Sequence, residues 1–427
     1  MIEKGKSVLL AALVLISLVQ SYFLAYSMPS MEANVRTEQD YVTTDPLGPE
    51  EKVEQLLLPE ELVVHMGGDK HTVFFPNDSF YDRVLDKLMA REFKGFQSDS
   101  VDSIDWDQVR REDPGIEVRF GRAVPFELLQ RVFKIDSNFL FSADSISRIW
   151  IFARKDREEV RTFFFSADGR NVYEALHADL TVQDVNQYTG FGQYWTPFSY
   201  WQDGVYMPDK PRTYGSLQVP FTRYTPDQIQ RNLFFDPGTT RMIQDRQDGT
   251  QIYTDGKKGL QIEQQGGWMS YTDPAAPTDS QNDLADNISS AVQFVNQHGG
   301  WIGTYRFVRG EGAVADSVIR FQQYYRGMPI LSGAGFRFGY IQLTIQQGFV
   351  SSYERSLLVL NEQERQNLAS KQLPGGSELS SLIRQAAGND IVEAVFPAFR
   401  PRLLKNAIAM EPVWAIRTAS GEIRAVS

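Results

Sequence analysis

The stretch SVLLAALVLISLVQSYFLAYSMP, residues 7–29, limits what this chain can fold into more than any other part of it. A helix over residues 7–28 would rise about 33 Å, against about 30 Å for the hydrocarbon core of a bilayer. The apolar region of a cleaved signal peptide is usually shorter, about 7–15 residues. We therefore read residues 7–28 as a retained transmembrane helix, with cleavage as the alternative because Ala25-Tyr26-Ser27 has small-x-small spacing. Tyr22 and Tyr26 stand near its outer end, where interfacial aromatics belong. Lys4 and Lys6 precede the run, and Glu32, Glu38, Asp40 and Asp45 follow it. The positive-inside rule then leaves residues 1–6 in the cytoplasm and everything after Pro29 outside.

Ser17, Ser21 and Ala25 recur four residues apart and share one stripe of that helix, with Gln20 beside it. Lipid tails supply no hydrophobic drive between helices, so small residues that allow close approach and polar groups that bond across are the usual means of association. The stripe of Ser17, Gln20, Ser21 and Ala25 is the candidate contact with partner helices. The plainer reading is that Gln20 only sits within reach of the outer interface.

The remaining length, in a chain of 427 residues, suffices for two or three domains. A net charge of −11 opposes phosphate backbones, which excludes nucleic acid as a natural partner. With zero cysteines the chain has no disulfide, thiolate nucleophile, Cys-based zinc site or cysteine lipid anchor.

Residues 29–56 are polar and proline-bearing and read as a stalk. From 57 to 185 the pattern is α+β. Tyr81, Val84, Leu85, Leu88 and Met89 keep helical spacing after a cap at Asn77 or Asp78, and "AVPFELLQRVF" suits a shorter helix. Strands are expected at Ile149–Ala153, Val160–Ser166 and Val172–Ala175. A second domain, 190–273, places a helix capped by Thr225 before a meander of Gln251–Thr254, Gly259–Glu263 and Trp268–Thr272. A third, 283–427, repeats that logic, with a helix over Asp283–His298, several strands, a helix capped by Ser377 and a final hairpin. The fold class is thus α+β: one N-terminal transmembrane helix, then antiparallel or mixed sheets with helices outside the membrane.

No catalytic signature stands out. His65 and His71, six apart with Asp69 between them, could seat a metal if "MGGDK" turned back on itself; a solvated turn is the preferred reading. His298 at a helix end is explained by the helix dipole. "GEGAVA" at 310–315 has the letters of a dinucleotide motif but precedes a strand, and "DGKKG" at 255–259 is a charged turn. Asp102, Asp105 and Asp107 lie in a polar stretch rather than forming a glycosidase pair. Tyr194, Trp195, Phe198, Tyr200 and Trp201 could stack on sugar rings, but no polar constellation accompanies them, so they are read as filling an inter-domain groove. No cofactor and no metal is expected.

The single N-terminal span, "NLFFDPGTTRMIQDRQDGTQIYTDGKKGLQIE" at 232–263 and "VIRFQQYYRGMPILSG" at 318–333 resemble the YycH (WalH) family of membrane-anchored extracytoplasmic regulators in Gram-positive bacteria. The last segment is also similar to PepSY-like domains. This resemblance implies a non-enzymatic regulator of a cell-wall two-component system. It further implies partnership with the sensor kinase WalK (YycG) and a YycI-like companion through membrane helices. The alternative is a protein that binds or processes an envelope polymer such as peptidoglycan or teichoic acid.

Overall fold

The computed structural model describes Ser17 and residues 46–136, 144–154, 157–263, 265–274, 283–308, 317–333 and 335–426. The chain divides into two units, Met1–Asp45 and Pro46–Ser427. In the first, Ser17 is helical and exposed; Gln20, Ser21, Ala25 and the rest of the expected span lie outside the described residues. Among the described residues no helix is long and apolar enough to cross a membrane.

Three sheets organise Pro46–Ser427. Sheet 1 takes β1 (Glu61–Met66), β2 (His71–Phe74), β3 (Glu92–Ser100), β4 (Pro114–Pro125), β5 (Lys134–Ile135), β6 (Ser145–Arg154), β7 (Glu159–Ser166), β8 (Asn171–Ala178), β9 (Phe198–Gln202) and β10 (Val205–Pro208). Their spatial order is β10-β9-β2-β1-β4-β6-β7-β8-β3-β5, antiparallel except for the parallel β3–β5 pair. The next strand, β11 (Arg212–Arg223), leaves for sheet 2. Sheet 3 follows with β12 (Arg241–Gln244), β13 (Gln251–Thr254), β14 (Gly259–Glu263), β15 (Trp268–Thr272), β16 (Thr304–Val308), β17 (Val318–Tyr325), β18 (Met328–Pro329), β19 (Tyr340–Gln346) and β20 (Phe349–Ser356). The chain then returns to sheet 2 through β21 (Leu358–Leu360), β22 (Gln366–Leu373), β23 (Val392–Leu403), β24 (Ala407–Thr418) and β25 (Ile423–Val426).

Local signals account for many elements. Thr225 caps the helix Pro226–Leu233 through a reciprocal box with Gln228, and Pro226 fills the first turn, where its missing N–H costs nothing. The helix Leu284–Gln297 buries Leu284, Ile288, Ala291, Val292 and Val295 along one face. The helix Gly376–Ala387 starts earlier than expected, with Gly375 rather than Ser377 at its cap position. The three meander strands occupy the residues expected for them.

The expected border at 273–283 does not divide the strands. Tyr271 on β15 lies opposite Tyr353 on β20, so the meander and the strands of the following block share sheet 3. A free-standing meander would end on β15 with Trp268, Met269 and Tyr271 at an open edge; pairing with β20 buries all three. Likewise β9 and β10 extend sheet 1 past residue 185. Sheet 1 is covered on both faces, Leu62 and Val64 packing into one core with residues of sheet 3, Val63, Val73 and Val205 into another with sheet 2. That double coverage is why β1 reads as an unbroken apolar run rather than an alternation.

Candidate functional site

At the hairpin joining β1 to β2, the backbone turns through Gly67, Gly68 and Asp69, all with positive φ (73°, 64° and 56°). Two glycines accept that geometry without a Cβ clash, and aspartate is among the residues that tolerate it. The turn places His65 directly across from His71. Both imidazoles are buried, 0% and 2% exposed, between Trp150, stacked 5.2 Å from His65, and Tyr206, 5.3 Å from His71. The expectation of a solvated turn at this pair is therefore corrected: the loop is polar, but the two rings point along the sheet face that sheet 2 covers.

A chain of short contacts runs through the pair. Asp69 Oδ1 lies 3.1 Å from His71 Nε2, the two Nδ1 atoms are 2.9 Å apart, and His65 Nε2 lies 2.9 Å from Glu117 Oε1. The other oxygen of Glu117 accepts from Arg119 Nε (3.0 Å) and Nη2 (2.8 Å) and from Arg148 Nη1 (3.3 Å). Burial pushes the Glu117 carboxyl up, but Arg119, the His65 hydrogen bond and Arg148 more than offset it and hold the group well below the usual carboxylate range. Burial, then the neighbouring His65, pushes His71 down to about 4, and burial lowers His65 too.

Hydrogen counting assigns the tautomers. Three contacts between two rings and two carboxylates need three hydrogens, and two neutral imidazoles carry two. Ionised Glu117 takes one from His65 Nε2, which makes His65 Nδ1 the acceptor for the Nδ1–H of His71. His71 Nε2 then faces Asp69 without a proton. Asp69 is mostly exposed and is held by Arg110 instead, at 3.0 Å. A third proton, on His71, completes the chain.

Arg119 and Arg148 also reach the wall of a cleft of about 570 Å³ between sheets 1 and 2. Arg119 Nη1 donates to Glu61 Oε1 (3.3 Å) and to the carbonyl of Gly204 (2.6 Å). Burial raises the Glu61 carboxyl against the opposing pull of Arg119. Glu60 ties the walls together: its carboxylate accepts from Arg417 Nη1 of sheet 2 (2.6 Å) and from the Tyr324 hydroxyl of sheet 3 (3.4 Å), and its N–H donates to the Arg119 carbonyl (2.8 Å). The carboxylate rests on Gly121, where any Cβ would collide with it. These acids are committed to arginine charge and hydrogen bonds, an arrangement suited to holding the three sheets in register.

Other expected sites resolve into structure. Asp105 caps the helix Trp106–Glu112 by accepting from Gln108 N (2.9 Å), and Asp107 pairs with Arg110 along that helix. His298, at the end of the helix Leu284–Gln297, bonds the Phe294 carbonyl and stacks on the Phe294 ring, and burial lowers its pKa. Of the aromatic cluster, Phe198 is buried and Trp195 packs on Phe74 and Phe80, while Tyr194 is exposed. Residues 310–315 lie outside the described residues. Among the described residues no group of three or more His, Cys, Asp or Glu is placed to hold a metal ion.

Two family profiles match the sequence: "YycH protein, N-terminal domain" over residues 3–189 and "YycH protein, C-terminal domain" over residues 202–426. The chain belongs to the YycH family. The fold agrees with this: the crystal structure of YycH from Bacillus subtilis superposes with a TM-score of 0.72 at 18% identity, covering 90% of this chain and 99% of that one. Two weaker structural likenesses are an uncharacterized protein from Eubacterium rectale (TM-score 0.34, 10% identity, 55% and 90% covered) and the YpeB C-terminal domain from Bacillus megaterium (0.26, 15%, 48% and 99%). No curated protein matches this YycH-family sequence.

Sequence reasoning missed Glu60, Glu117, Arg119, Arg148 and Arg417. One signal was available: Glu117 and Arg119 alternate within the apolar β4, so both charges fall on one face of a strand otherwise committed to burial. Glu60 and Arg417 are 357 residues apart and give no local sign.

Proposed function

We propose that this chain is a non-enzymatic regulator of a membrane sensor histidine kinase controlling cell-wall metabolism, the kinase being WalK (YycG). In this reading residues 7–28 cross the cell membrane once, residues 1–6 face the cytoplasm and the body 46–427 lies outside. Contact with the kinase and with a YycI-like companion runs through the stripe of Ser17, Gln20, Ser21 and Ala25.

The observation that carries the reading is family membership, with both YycH profiles matched and the first beginning at residue 3, ahead of the apolar run. The lysines before that run and the acids after it support the orientation, and the small-residue spacing supports helix contact. The engagement of Glu60, Glu61 and Glu117 by arginines supports a body that binds rather than catalyses.

The test is kinase-dependent transcription in cells carrying Ser21→Leu or Ala25→Leu, with membrane levels of each variant checked by immunoblot. Bulky side chains on the stripe should hold the backbones apart and weaken control. Normal control by both variants at equal abundance would remove the stripe from the mechanism.

A further inference from the structure

The cleft between sheets 1 and 2, with Leu284 of a helix on its wall, has a volume within the range of small-ligand sites, about 300–1,000 Å³, and lies between folded layers, where such sites concentrate. Its charges constrain what could enter. Four arginines (Arg119, Arg122, Arg148, Arg417) and four acids (Glu60, Glu61, Asp203, Glu393) line it, so the walls sum to zero formal charge. A guest of one sign would leave an uncompensated charge in a partly desolvated space, whereas a guest carrying both signs would not.

Arg148 of sheet 1 and Glu393 of sheet 2 have bonding capacity to spare. Arg148 spends Nη1 on Glu117 and lays its guanidinium against Phe165, 4.0 Å from the ring centre. Its Nε and Nη2 make no hydrogen bond among the described residues, and those two N–H groups form the side-on edge that takes a carboxylate in a two-pronged grip. Glu393, from β23 of sheet 2, also lines the cleft; it lies in the field of Arg417 but makes no ion pair or hydrogen bond among the described residues. It is exposed and free to meet an ammonium group.

We propose that this cleft binds a small zwitterion, a short peptide with free termini, its carboxylate on Arg148 and its ammonium on Glu393. Such a guest would bridge sheet 1 to sheet 2 beside the Glu60–Arg417 link. The proposal does not rest on the kinase contact, and a failure of either leaves the other standing.

The test is ligand-observed NMR and calorimetry on the full chain in detergent micelles, with triglycine as probe against N-acetyl-triglycine and triglycine amide. Free triglycine should bind, and capping either end should weaken binding by about ten-fold or more, the value of one charge-assisted contact. Arg148→Gln should abolish the preference for a free carboxylate, and Glu393→Gln the preference for a free amine. Because Arg148 also touches Glu117, Glu393→Gln at an exposed position decides the matter if the arginine variant misfolds. No binding of free triglycine at millimolar concentration, or equal binding of free and capped peptides, would overturn the proposal.

Discussion

Replacing Glu117 by glutamine keeps the shape of the side chain and removes its charge, which makes it the sharpest perturbation of the buried network. Glu117 is 1% exposed and engages Arg119 twice, Arg148 once and His65 once. Breaking a buried ion pair by neutralising one partner typically costs about 3–5 kcal/mol, because the other charge stays buried without compensation. Arg119 would retain Glu61 and the Gly204 carbonyl, so the lower end, about 3 kcal/mol, is expected here. The pH dependence sharpens the test. A carboxylate held below its unfolded value contributes stability that is full above that value and is lost as pH falls through the folded one. Wild type should therefore lose stability on acidification below about pH 4.5, and the variant should lose less. Urea unfolding of the full chain in micelles, followed by tryptophan fluorescence at pH 7 and pH 4, measures both effects, with Trp150 as a reporter stacked on His65. A variant within about 1 kcal/mol of wild type at pH 7, the worth of one ordinary hydrogen bond, would refute the view that this network is tightly coupled.

Further outcomes follow from the same contacts. His71 titrates near 4 when folded and near 6.5 when unfolded, so the unfolded chain takes up its proton first and stability should fall as pH drops between those values, by about 3 kcal/mol in all; urea titrations should show His71→Gln flattening that segment. Gly121→Ala should push the Glu60 carboxylate off Arg417, and hydrogen exchange at β24 should rise while exchange in β13 and β14 stays unchanged. If residues 7–28 span the membrane as proposed, Gln20→Leu should remove one interhelical bond, worth about 0.6 kcal/mol on average, and should weaken transcriptional control less than Ser21→Leu or Ala25→Leu.

The elements were legible where the signals are local. Alternation and the Asp255-Gly256 and Gly266-Gly267 turns delimit the meander strands, and the capping box places the helix Pro226–Leu233. Sheet membership was not legible, because it depends on which distant edge covers an open strand. β15 meets β20, and β11 meets β24 with Leu217 opposite Met410, across long gaps in sequence. The histidine pair was misread for a related reason. "MGGDK" is polar and turn-forming, which points to solvent, but the burial of His65 and His71 is imposed by Trp150 and Tyr206, arriving from β6 and β10.

The most direct measurement is capture of the kinase from crosslinked membranes by the affinity-tagged chain, compared with a chain whose residues 7–28 are replaced by an unrelated membrane span. Both chains would carry the same body, Pro46–Ser427, and both should reach the membrane at equal levels by immunoblot. Kinase recovered with the native span and lost with the foreign one is the predicted result. Equal recovery with both spans would contradict it and move the regulatory contact to the body outside the membrane.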